Sequence, residues 1–81
     1  MDEQNQKAQP KAKPVHGIII GAKRVNLRAE GLENARVVGT VDQYEEVLVD
    51  KTKTTKDYIY VTPNSGFPGY VAKRFLAIKM V

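Results

Sequence analysis

Cysteine is absent from this 81-residue chain, and histidine occurs once, at His16. Disulfide staples, thiolate zinc sites and Cys/His catalytic pairs are thereby excluded. Apolar burial alone must hold the chain together. Long apolar runs are missing as well. The longest, Ile18–Ile20, falls far short of the roughly 20 residues of a membrane-spanning helix, so no membrane insertion is expected. Residues 1–14 contain nothing like the apolar stretch of a secretory leader; with Met1 as the true start, the expectation is a cytoplasmic chain. Blocks of five like charges are also lacking. The net charge is +4, from 13 basic and 9 acidic side chains with the signs interspersed. That balance permits weak attraction to acidic partners without dictating it.

What is present suits one small globular domain: 42% hydrophobic and 27% charged residues. Residues 1–16 form a polar leader in which no apolar residue larger than alanine lies between Met1 and Val15. Such a segment buries too little surface to offset its ordering entropy, so the sequence predicts a disordered arm or linker. Residues 17–81 change character. Short runs of Val, Ile and Tyr alternate with turn chemistry every eight to twelve residues or so, the pattern of an all-β domain.

The first strand is expected to open at Ile18–Ile20 and continue past Gly21 through Val25 and Leu27, with Asn26 and Arg28 on its other face. Val37, Val38 and Val41 form a second strand, and Glu46–Asp50 a third with Val47 and Val49 inward. Lys51–Asp57 is expected to be a fraying polar loop. Tyr58–Thr62 gives the clearest alternation, Ile59 and Val61 opposite Tyr58 and Tyr60. Pro63-Asn64-Ser65-Gly66 is a strong turn signal, followed by a strand at Tyr70 and Val71. A short helical turn at Ala72–Phe75 then leads to a closing strand of Leu76, Ile78 and Met80. Five or six short antiparallel strands in a chain of this size predict a small barrel, since closure removes reactive edges.

Reactive constellations are scarce. The single serine, Ser65, sits in a turn, where it serves backbone geometry. His16 borders the leader and is expected to be solvated. Glu45 and Glu46 are adjacent, so on a strand they point to opposite faces and cannot share a substrate. Gly17–Lys23 (GIIIGAK) is one residue too short for a phosphate loop and lacks the Ser/Thr that should follow; a strand bend explains it better. No enzyme and no cofactor is expected.

One ordered set of short motifs carries more information. Val25-Asn26-Leu27-Arg28, Val37-Val38-Gly39-Thr40-Val41 and Val47-Leu48-Val49 resemble the opening of bacterial SH3-like domains. Asp57-Tyr58-Ile59-Tyr60-Val61, Gly66-Phe67-Pro68-Gly69-Tyr70-Val71 and Ala72-Lys73-Arg74-Phe75-Leu76 resemble their close. The likeness spans residues 18–78. Tyr58 and Tyr70 stand where the family favours Trp, Tyr44 replaces the glycine common in the diverging turn, and the usual proline of the first loop is missing. The acidic-aromatic signature of eukaryotic SH3 domains is also absent, which argues against a conventional proline-ligand groove.

The resemblance implies an SH3-like barrel that binds a peptide or protein partner without chemistry, with a peptidoglycan peptide among the candidates. The expected contact surface lies between the first loop, the Lys/Thr loop and the helical turn. Tyr58, Tyr60, Phe67 and Tyr70 would supply rigid aromatic area, and Arg28 and Arg74 bidentate partners for carboxylates. Two alternatives stand beside it. One is a nucleic-acid-binding small barrel in which Lys23, Arg24, Arg28, Lys73 and Arg74 form a basic edge. The other is a structural or accessory protein of phage or mobile-element type, docking by strand addition.

Overall fold

The computed structural model describes residues 15–64 and 66–79. The predicted leader up to residue 14, Ser65 of the turn and Met80 of the closing strand lie outside the described residues. In chain order the elements are β1 (Val15–Ile19), β2 (Arg24–Arg28), β3 (Val37–Asp42), β4 (Glu46–Thr54), β5 (Tyr58–Pro63) and β6 (Gly69–Ala72). A single 3₁₀ turn at Lys73–Phe75 leads into β7 (Leu76–Ile78). All strands join one antiparallel sheet in the order β3-β2-β6-β5-β4-β1-β7. The chain is all-β, as its alternation indicates.

Among the described residues the sheet is not closed by strand pairing, and β3 and β7 are its two edges. Loop contacts link the ends instead. The Tyr44 N–H donates to the Ile19 carbonyl (2.8 Å), and the Gln43 N–H to that of Lys23 (2.9 Å). These bonds tie the β3–β4 turn to the corner after β1. Tyr44 sits there with φ +69°, a left-handed conformation that bulky residues seldom adopt.

Three expectations need correction. There are seven short strands rather than five or six, because the run expected to continue past Gly21 breaks there. Gly21 takes φ +82°, open to glycine without steric cost, and β1 and β2 pair with different neighbours. Val15 and His16, read from sequence as part of the leader, are strand residues: Val15 pairs with Val49 and packs on the core. His16 stands opposite Leu48, with Nδ1 3.2 Å from the Glu46 carboxylate. Finally, Lys51–Thr54 belong to β4 instead of a fraying loop.

That extension has a local cause. Asp50 pairs with Tyr60 but Thr54 pairs with Ile59, so Lys51, Thr52 and Lys53 bulge out of the ladder. The Asp50 carboxylate accepts hydrogen bonds from the Thr52 N–H (3.0 Å) and from the Thr52 hydroxyl. Side-chain bonds of this type stabilise a turn where nothing apolar can pack. The two Thr52 bonds, aided by the Lys53 charge, hold the Asp50 pKa below the ordinary aspartate range. The stabilisation is complete above that range and drains away as pH falls through the depressed value. Carboxyl carbon NMR should find Asp50 titrating below the ordinary aspartate range, and Thr52→Ala should return it towards that range. An unchanged titration in that variant would show that the bulge is held otherwise.

The core lies on the inner face of the curled sheet. Ile19, Val25, Leu27, Val41, Val47, Val49, Ile59, Val61 and Val71 form one buried cluster. Each comes from the alternate positions that the strand period assigns to one face. Among the described residues, no polar or charged residue is buried, and no helix is long and apolar enough to cross a membrane.

Candidate binding groove

The inner face is devoted to packing, so clefts open to a ligand lie on the outer face and among the loops. Loop 29–36 is drawn closed at its base by the Ala29 N–H donating to the Arg36 carbonyl (2.8 Å). Arg28 Nη1 adds a bond to the Ala35 carbonyl (2.9 Å). Arg28 is thus partly committed to shaping the loop, a positioning role that its expected service as a carboxylate partner did not include.

A second loop meets the first through one threonine. The Thr55 hydroxyl accepts from the Tyr58 N–H (3.1 Å) and lies 3.3 Å from the Gly31 carbonyl, to which it donates. The Thr55 N–H in turn donates to the Tyr58 carbonyl (2.9 Å). Gly31 packs so closely here that a Cβ on it would lie 2.7 Å from the Thr55 methyl carbon. The 3₁₀ turn forms the third wall: the Lys73 N–H donates to the Asp57 carbonyl (2.8 Å).

Between these walls opens a groove of about 490 Å³, lined by Arg28, Leu32, Glu33, Asp57, Tyr58 and Arg74 among others. It lies between the first loop, the Lys/Thr loop and the helical turn, with Tyr58 the one aromatic residue of its lining. A smaller notch of about 230 Å³ adjoins it and shares Arg28, Tyr58 and Arg74. Arg24 and Asn26 of β2 add to the notch. Arg24 is held by the Asp42 carboxylate opposite it (Nε–Oδ1 3.0 Å), and the Arg74 guanidinium lies over the Phe75 ring, 4.6 Å from its centroid.

The six side chains singled out from sequence therefore separate into three groups. Arg28, Tyr58 and Arg74 converge on the groove. Tyr60 and Tyr70 face each other across β5 and β6 as an edge-on pair, with centroids 5.1 Å apart. Lys53 Nζ covers the Tyr60 ring at 4.6 Å. These two rings line neither cavity, although Tyr70 sits against the back of the first loop beside Gly31. Phe67 stands apart. It is 84% exposed and lies in the β5–β6 connection, at the opposite end of that hairpin from Tyr58, which pairs with Ala72.

Sequence reasoning missed Leu32, Glu33, Lys56 and Asp57 as groove residues. Their only signal was membership of polar loops, which says nothing about which loops meet. Among the described residues, no group of three or more His, Cys, Asp or Glu side chains is placed to hold a metal ion. Comparison with protein-family models, curated proteins and solved structures yields no match to this chain.

Proposed function

We propose that this chain is an SH3-like module that binds a peptide or protein segment in the three-walled groove, without catalysing a reaction. The carrying observation is the convergence of Arg28, Tyr58 and Arg74 from three separate elements on one groove. A flat aromatic with a hydroxyl offers contact area at low entropic cost, and guanidinium groups beside it supply directional hydrogen bonds. Mixed charge along the walls, Arg28, Lys56 and Arg74 against Glu33 and Asp57, suits a polypeptide carrying both signs. The SH3-like assignment draws support from the curled antiparallel sheet around one core and from the 3₁₀ turn before the last strand. Tyr44 also holds positive φ at the position where the resembling family favours glycine.

A cell-wall peptide is the ligand to try first. Purified peptidoglycan is expected to co-sediment the protein, and Tyr58→Ala to weaken retention at least tenfold with the circular-dichroism spectrum unchanged. Absence of pelleting would eliminate the cell-wall ligand and direct the search to a protein partner. Retention unaffected by Tyr58→Ala would place the contact elsewhere and refute the groove.

A further inference from the structure

We infer that the notch beside the groove is a receptor for the terminal carboxylate of a peptide whose preceding residues lie in the groove. This rests on the peptide-binding reading and adds the chemical identity of the ligand's end. Three guanidinium-bearing residues, Arg24, Arg28 and Arg74, line this single small space together with Asn26 and Tyr58, and none of its lining residues is acidic. Three cationic side chains on a lining that holds no carboxylate suit an anion supplied from outside. The planar fork of arginine matches a carboxylate in bidentate fashion.

Geometry favours a peptide end over a phosphodiester strand. The notch is about half the size of the groove it joins, about 230 against about 490 Å³. Arg28, Tyr58 and Arg74 border both. A nucleic-acid strand continuing into the groove would meet Glu33 and Asp57 among its basic residues, a mixed wall that suits a polypeptide of both signs better than a run of phosphates. Glu33 and Asp57 can pair with a basic side chain of the ligand, so the probe peptide carries a lysine. Arg24 and Arg28 are held in place by Asp42 and by the Ala35 carbonyl. Arg74 lies over the Phe75 ring, and Arg24 lines the notch without lining the groove.

The test is an amide NMR titration of the full chain with two peptides, acetyl-Ala-Lys-Ala-Ala as the free acid and as the C-terminal amide. The free acid should shift the Asn26 amide and the Arg28 and Arg74 side-chain signals, and bind at least tenfold more tightly than the amide form. Arg24→Gln, at an exposed side chain that lines the notch but not the groove, should reduce that preference to within twofold while both peptides still shift Leu32 and Thr55. Equal binding of the two forms, with shifts at Leu32 and Thr55, would overturn the carboxylate notch and leave the groove intact. No shift at either place would overturn both. Tighter occupation of the notch by decathymidylate, weakening steeply with salt, would replace the peptide with single-stranded nucleic acid.

Discussion

Ile19→Ala is expected to destabilise the protein by about 2–5 kcal/mol, the usual cost of removing that much side chain from a closed core. Ile19 is 0% exposed and sits where three parts of the chain meet. It pairs with Leu76 of β7, donates its N–H to the Glu45 carbonyl (3.2 Å) and accepts from the Tyr44 N–H (2.8 Å). A cavity there cannot relax without moving the β3–β4 turn. A domain of this length has a total stability on the order of 3–10 kcal/mol, so the variant should populate unfolded chains at ordinary temperature. Leu48→Ala is the control. Leu48 is 45% exposed, and its truncation should cost about 0.5 kcal/mol or less. Urea denaturation of both variants measures the difference; similar midpoints would mean that the inner and outer faces of the sheet have been exchanged.

Gly69→Ala should cost about 1–3 kcal/mol, because it overfills the narrowest seam of the sheet. β2 and β6 share one paired position, Arg28 with Tyr70, and Gly69 lies beside it. A Cβ on Gly69 would come within 3.0 Å of the Leu27 Cβ and 3.1 Å of the Arg28 carbonyl oxygen. Neither neighbour is the free end of a flexible side chain, so the strands themselves must separate. The displacement passes directly to Arg28, whose guanidinium braces the first loop. Thermal melting should therefore fall, and ligand binding in the groove should weaken with it. A variant that melts like the parent would show that the seam has slack that its close approach does not suggest.

Strand positions were legible wherever alternation and turn chemistry coincide. Val25 and Leu27, Val47 and Val49, and Ile59 and Val61 all face the core as their spacing requires. The end of β5 at Pro63 and the 3₁₀ turn at Lys73–Phe75 fall where the local residues demand them. Misreadings arose where a local device competes with pattern. Gly21 ends a strand that its apolar neighbours would continue. Asp50 and Thr52 extend β4 through residues with no apolar face. In the first case a backbone conformation prevails over apolar pattern; in the second, short-range hydrogen bonds replace packing.

The amino-acid order alone dictates an all-β chain with one apolar face per strand, since a two-residue period and turn residues act over a few neighbours. The family resemblance adds Tyr60, Phe67 and Tyr70, and with them Arg28, Tyr58 and Arg74, as surface candidates. The meeting of the last three in one groove, the departure of Phe67 to the far end of its hairpin and the edge positions of β3 and β7 come from the curl of the whole sheet. Those outcomes depend on pairings between strands distant in sequence, such as β2 with β6, and on one threonine hydroxyl joining loops 24 residues apart. Neither kind of contact leaves a trace in local pattern.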